Sequence, residues 1–320
     1  MNLTVRSICL LLLILLAPVA AASSKFEAVD QKVRSYPKSF SSSASLAARI
    51  NADFSDDLSR TRALFYWMAN HITYDMNAYN QSKRIAYSYT TEEDRLHKER
   101  LFRTSLARKT LTSGKAICEG YATLFVEVCR ELNIEAVIIT GAARSHYSQI
   151  GKLPLISDHA WNAVRINNRW LLLDVAWAAG AVDSQKRFIA AFNDAYFGTA
   201  PSKFALNHFP DDPQWLFTEK TPQEFATAPF YHAAHINSDV VFSISQGTIR
   251  TSGNRQIKIH IENLEPTDRL TFTTSERSLL RPLQVDAADN VYIVPGVRGE
   301  GYFTIFINQK PYVTYKVSKS

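Results

Sequence analysis

A thiol, an imidazole and a carboxylate occur in that order at Cys118, His159 and Asp174, each in a setting that suits one part of a nucleophilic acyl transfer. Cys118 stands in GKAICEGYATLF, where a polar run gives way to an amphipathic pattern. Tyr121, Leu124, Phe125, Val128, Cys129 and Leu132 recur at i, i+3, i+4 and i+7, which predicts a helix over residues 118–132. The first turn of a helix is where free N–H groups and the macrodipole favour a thiolate. On a helical wheel Cys118 falls within about 20° of Phe125 and Cys129, so it points inward. The imidazole and carboxylate come from a hairpin. HAWNAVRI and RWLLLDVAW read as strands joined by Asn167 and Asn168, which tolerate the positive φ of a tight turn. With those two at the turn, Ile166 faces Arg169, Trp161 faces Asp174 and His159 faces Ala176. His159, Trp161, Asp174 and Ala176 then share one face, and Asp174 is a diagonal neighbour of His159. A carboxylate there fixes the tautomer of the imidazole and favours its protonated form. A helix laid on this face brings together a nucleophile, its base and the base's orienter.

Each residue also has a plainer reading. Free cysteines are commonly buried and inert, and a histidine on a half-apolar strand is commonly a satisfied core group. Asp174 within LLLDVAW is harder to dismiss, because a carboxylate among apolar neighbours needs a partner. Cys129, three turns into the helix, reads as core. The aromatics Tyr74, Trp161 and Trp177 are candidates for lining a substrate groove. His232 and His235 have i, i+3 spacing without a third ligand, and neither CxxC nor HExxH occurs, so no metal site and no cofactor are expected. Nothing resembles a phosphate loop or a nucleic-acid motif.

The elements that must carry these residues sit in a chain of 320 residues, 46% hydrophobic, with three cysteines and a formal net charge of +6. Residues 1–22 read as a secretory signal peptide: Arg6, an apolar block over 8–16, then Pro18 and a run of small residues. The expectation is an exported protein, periplasmic or secreted, with no integral membrane segment after signal removal. Cys9 leaves with the signal. Cys118 and Cys129 lie about 16 Å apart along one helix, beyond disulfide reach, so both are expected to be free thiols. Positive residues gather between Lys83 and Lys115 and read as a solvated helix face. Helices are expected over 56–72 and 92–112, a buried strand over 134–140, and an ordered loop region over 180–222. From about residue 236, QIKIHIE, RLTFTTS, NVYIV, YFTIFIN and YVTYKV alternate apolar with polar and predict a small antiparallel β-sandwich of immunoglobulin-like type. The organisation read from the chain is a signal peptide at 1–22, a first domain at 23–232 with its core at about 55–220, and a β-sandwich at 236–320.

GKAICEGYATLF, DHAWNAVRINNRWLLLDVAW and their spacing resemble the transglutaminase-like superfamily, and the segments ITYD and YFGTAPSKFALNHFPDDPQW resemble its branch that includes kyphoscoliosis peptidase. The resemblance implies an α+β, papain-like core in which a helix bearing the cysteine packs on an antiparallel sheet bearing histidine and aspartate. It places the Cys-His-Asp triad on Cys118, His159 and Asp174. The chain departs from the pattern at Ala176 and Ala178, where a threonine and a glycine are expected, a change that bears on the groove.

These readings converge on a cysteine-dependent acyl-transfer enzyme acting on protein or peptide amides through a thioester, with a cell-wall or envelope component as a further candidate partner. Transglutamination, deamidation and peptide hydrolysis share that intermediate. The competing reading is a non-catalytic module that keeps the fold to grip a peptide or cell-wall component. In neither is nucleic acid a partner.

Overall fold

The computed structural model describes residues 25–319 except 82–87, 184, 252–255, 276, 287–289 and 296–299, so the expected signal peptide, Lys83 and Arg84 lie outside the described residues. Two helices that the residue pattern did not announce come first, α1 (Glu27–Val33) and α2 (Ser43–Asp53). The serine-rich stretch ahead of α2 is a capping box: Ser42 Oγ accepts the Ser45 N–H and Ser45 Oγ accepts the Ser42 N–H, both at 3.1 Å. Helix α3 (Asp57–His71), capped by Asp56, buries Leu64, Phe65, Trp67 and Met68. Arg62 on α3 is also buried. It forms a two-point ion pair with Asp30 of α1 at 2.7 and 2.6 Å, a third contact with Asp194, and lies 4.9 and 5.0 Å from the rings of Phe26 and Phe197. Those contacts tie the start of the domain to the 190s.

Strand β1 (Thr73–Tyr74) and α4 (Met76–Gln81) follow α3. Helix α5 (Glu92–Ser113) is largely solvated, and its i, i+3 and i, i+4 pairs include Arg95–Glu99, Lys98–Asp94 and Arg103–Glu99. It ends at Gly114, whose φ of +63° is the left-handed cap that glycine adopts without strain. Strand β2 (Lys115–Ala116) pairs in parallel with β1 and runs directly into α6 (Cys118–Glu131). After a left-handed Asn133 come β3 (Ala136–Ala143), β4 (His159–Ile166) and β5 (Arg169–Leu173). Asn167 and Asn168 hold φ of 50° and 62° at the turn, and pairing from Ile166–Arg169 to Asn162–Leu173 follows the expected register.

The pairing ends at Asn162–Leu173, before the expected Trp161–Asp174 and His159–Ala176 pairs. Asp174 leaves the strand and caps α7 (Val175–Ala179), so Ala176 sits in a helix and not across from His159. Asp174 accepts the Trp177 N–H, a capping bond that starts a helix where strand pairing would have continued.

The stretch read as loop over 180–222 contains short elements: β6 (Gly180–Val182) paired with β7 (Phe188–Ala190), then β8 (Phe197–Thr199), α8 (Pro201–Phe204), β9 (His208–Pro210) and α9 (Pro222–Thr227). Strands β8 and β9 complete the main sheet on its two edges, giving the order β8-β5-β4-β3-β9, and α6 packs across β3 and β4. Three-residue strands carry too few side chains to show a period.

Strand β10 (Phe230–Tyr231) and α10 (Ala233–Ile236) lead to β11 (Val241–Phe242), β12 (Thr248–Thr251), β13 (Ile257–Glu262), β14 (Leu270–Thr274), β15 (Arg277–Pro282), β16 (Gln284–Asp286), β17 (Val291–Val294), β18 (Gly301–Ile307) and β19 (Lys310–Lys319). They form two sheets, β10-β19-β18-β14-β15 with β12 also on β19, and β11-β13-β17-β16. Ile259 and Ile261 of the second and Phe272, Phe303, Ile305 and Val313 of the first share one core. The region is not wholly antiparallel as expected, because β12 pairs with β19 in parallel. Among the described residues no helix is long and apolar enough to cross a membrane.

The two regions are joined by polar groups as well as apolar ones. On the first region's side of the junction, Arg144, buried just after β3, donates to Phe225 O in the last turn of α9 and to Ala228 O and Pro229 O beyond it, where a cation suits the helix dipole. His232 donates to or accepts from Thr314 Oγ1 at 2.8 Å, and His235 stacks on Tyr231. Burial holds His232 down at about 4, and burial with nearby Lys203 holds His235 down at about 3.

Two outcomes follow from these groups. Arg62→Met leaves the Asp30 carboxylate buried without its partner and is expected to destabilise the first region by about 3–5 kcal/mol in urea unfolding. Because His232 and His235 take up protons less readily in the folded chain, their contribution is intact above their ordinary value of about 6.5. It is lost as pH falls towards 4, by about 1.4 kcal/mol per group per pH unit. Thermal melts at pH 7 and 4.5 should show this loss, and His235→Phe should reduce it.

Candidate active site

The chain reaches Cys118 through the β1–β2 ladder, which sets Tyr74 opposite Ala116. The Thr73 N–H donates to Gly114 O at 2.8 Å and the Asp75 N–H to Ala116 O at 2.9 Å, while the Tyr121 hydroxyl donates to Ile72 O at 2.5 Å. The half-buried Cys118 opens α6, and its N–H donates to the Tyr74 hydroxyl. Burial first, then the nearby Cys118, Tyr79 and Asp174, push the Tyr74 phenol far up, so it stays protonated. Two residues on, a Cβ at Gly120 would come within 2.7 Å of Ala116 Cβ and Thr110 Oγ1. Glycine lets α5 lie against the first turn of α6. On the sheet side, Asn162 Nδ2 donates to Ala122 O on α6 and Val137 O on β3 at 3.1 and 3.0 Å, which fastens the helix to the strands beneath it.

Asp174 is 1% exposed and accepts three hydrogen bonds. Its Oδ1 takes the Trp177 N–H at 3.0 Å, and its Oδ2 takes His159 Nε2 at 2.6 Å and His208 Nε2 at 3.0 Å. With Nε2 committed to Asp174, His159 is left to meet the Cys118 thiol through its other nitrogen, within hydrogen-bonding reach. Burial alone would pull the His159 pKa down. The Asp174 carboxylate, with Cys118 adding to it, overcomes burial and holds it up at about 10. Burial likewise opposes the charge on Asp174, and His159 and His208 hold that carboxylate well below the usual range. Burial draws His208 down, which keeps it a neutral donor. The resting pair is an imidazolium on His159 against a carboxylate on Asp174.

The aromatic candidates divide. Tyr74 beside Cys118 and Trp177, 5.4 Å from His159, are half-buried at the site. Trp161 is 2% exposed, so it does not line a groove as expected. It stacks 6.0 Å from His159 and lies edge-on 5.0 Å from His208, as a floor under the two imidazoles. Phe188 on β7, which residue pattern did not single out, lies 6.2 Å from Tyr74. Ala176 and Ala178, the two departures from the expected pattern, are buried on α7 and fill the interior.

Residues 44–175 match the transglutaminase-like superfamily. That stretch of the chain is transglutaminase-like. Mouse kyphoscoliosis peptidase is 31% identical over 66% of this chain and 30% of its own length, and the human protein is 30% identical over the same shares. Cytokinesis protein 3 of Schizosaccharomyces pombe is 25% identical over 60% of this chain and 20% of its own. This chain thus spans about 30% of the length of the two peptidases. His208, part of the HFPDDP stretch and outside the match over 44–175, is the site residue that sequence reasoning left without a role. Its link to Asp174 is made by an edge strand and shows in no local spacing.

His159, Asp174 and His208 also present three possible metal-ligand atoms within 4.8 Å of one another. Their closest approaches of 2.6 and 3.0 Å are those of hydrogen bonds, shorter than the ~3.3 Å between ligands around a tetrahedral zinc. The cluster is built around protons.

The imidazolium–carboxylate pair sets a pH window. The raised His159 pKa contributes stability that is complete below about 6.5 and lost as pH rises through about 10. The depressed Asp174 contributes above about 4 and is lost in stronger acid. Asp174→Asn should drop the His159 midpoint from about 10 to below the ordinary ~6.5, as followed by imidazole nitrogen chemical shifts over a pH titration.

Proposed function

We propose that this protein is an exported cysteine-dependent acyl-transfer enzyme acting on protein or peptide amides. The observation that carries the reading is the line of contacts from the Cys118 thiol through His159 to Asp174, with the cysteine on the first residue of a helix. In this reading the reacting form of Cys118 is the thiolate, with its proton's charge carried by the His159 imidazolium. The Cys118 Sγ attacks the amide carbonyl carbon, forming a C–S bond as the carbonyl electrons move to oxygen. The positive end of the helix dipole at the first turn of α6 favours the charge on that oxygen. His159 gives its proton to the amide nitrogen, the C–N bond breaks, and ammonia or an amine leaves a thioester on Cys118. Water or a second amine then attacks the thioester, His159 takes its proton, and the C–S bond breaks to release the sulfur as a thiolate beside the re-protonated His159. Asp174 keeps the imidazole oriented throughout and favours its charged form whenever it carries the proton.

The uncharged half-buried side chains of Tyr74, Trp177 and Phe188 around Cys118 suit a peptide chain as the acyl donor. The apolar block over residues 8–16 and the two unpaired cysteines Cys118 and Cys129 support export of a protein whose thiol is used.

The expected outcome is that iodoacetamide alkylates Cys118 in the native protein faster than in the urea-denatured chain. Cys118→Ala should abolish both that labelling and formation of a thioester with glutamine-containing peptides, as read by intact-mass spectrometry. Equal labelling of native and denatured protein at Cys118 would overturn the assignment.

A further inference from the structure

Asp174 Oδ2 accepts from two imidazoles, and the second has no part in the chemistry set out above. His208 arrives on β9, the edge strand beside β3, with Ala143 as its register partner. It is 1% exposed, and Phe204 stacks on it at 4.1 Å. Trp161 lies edge-on to it at 5.0 Å and Trp177 lies tilted at 4.6 Å. A polar side chain enclosed this way is expensive unless its hydrogen bond matters to the fold or to the site.

We propose that His208 is a positioning residue that tunes the proton affinity of His159 through their shared acceptor, Asp174 Oδ2. The proposal rests on the reading of His159 as the general acid and base.

Two hydrogen bonds to one oxygen compete. The neutral N–H of His208 draws electron density from Oδ2 and weakens its hold on the His159 proton, and any positive charge on His159 repels a proton on His208. His159 therefore remains acidic enough to protonate a leaving nitrogen, while Asp174 still orients it. The other ionisable groups facing the cluster do not take over this role. Tyr121 on α6, Tyr196 ahead of β8 and Tyr74 on β1 all lie near Asp174, and burial pushes each phenol up, so they remain neutral. Cys118 acts on His159 itself and adds to the hold of Asp174 on its proton.

The test is imidazole nitrogen NMR on the full chain across pH 5–11, with the pH dependence of Cys118 alkylation measured in parallel. His208→Leu removes the second donor and is expected to raise the His159 midpoint by about one pH unit, the worth of one net hydrogen bond. His208→Gln keeps an N–H near the position of Nε2 and is expected to return the midpoint to within a few tenths of the wild-type value. The upper limb of the alkylation profile should move with it. In the wild type, His208 should stay neutral and carry its proton on Nε2 from pH 5 upward. That measurement stands whether or not the leucine variant folds. A His208 protonated on both nitrogens, or carrying its proton on Nδ1, overturns the proposal, as does a His159 titration unchanged in a folded His208→Leu. If Cys118 alkylates no faster than in the denatured chain while His159 still shifts, the acyl-transfer reading fails and the coupling of the two histidines stands.

Discussion

A carboxylate enclosed by protein is among the most unfavourable groups a fold can bury, and Asp174 is almost completely enclosed. It remains charged because three donors converge on it from three elements: a backbone N–H from α7, an imidazole from β4 and an imidazole from β9. Each donor constrains a different stretch of chain. The α7 bond ends β5 and starts a helix. The His159 bond requires β4 and β5 to keep their register, and the His208 bond requires the chain to return along the far edge of the sheet. A desolvated charge that needs all three contacts penalises arrangements in which any of them is missing.

The opposite half of the site is held by different means. Cys118 is placed by backbone pairing and close packing: the β1–β2 ladder, the approach of α5 at Gly120, and the amide of Asn162 reaching α6. These contacts are neutral and short, so they fix position without adding charge near the thiol. One side of the site supplies electrostatics and the other supplies geometry. The two meet at the His159 ring, which touches Asp174 with one nitrogen and serves Cys118 with the other.

What could be read from residues alone tracks how local the governing physics is. Cys118, His159 and Asp174 were legible because a helical period and the symmetry of a two-residue turn are arithmetic on neighbouring residues. Asn167 and Asn168 hold the positive φ that their amide side chains permit, and the pairing follows from them. The end of β5 was not legible, because a cap and a strand position compete at Asp174 and only the surrounding fold decides between them. Helices α1 and α2 went unread, since their apolar faces, Val33, Leu46 and Ile50, are spaced among small and polar residues. Trp161 was misplaced for a simple reason: an indole near an imidazole has the same residue neighbours whether it walls a groove or floors it. His208 meets Asp174 through tertiary pairing alone, as β12 meets β19, and no spacing within either segment encodes such a meeting.

The β1–β2 ladder has a consequence in polymer terms. Two parallel residue pairs close a long excursion of chain that includes α4 and α5, leaving Tyr74 against Cys118 at its neck. The entropy of closing such a loop rises slowly, by about 0.6 kcal/mol for each doubling of its length. Residues can therefore be gained or lost beyond α4 at little thermodynamic cost, while the neck keeps its register and the thiol its surroundings. The excursion is a place where the surface of this architecture can diversify while the setting of Cys118 at its base stays fixed.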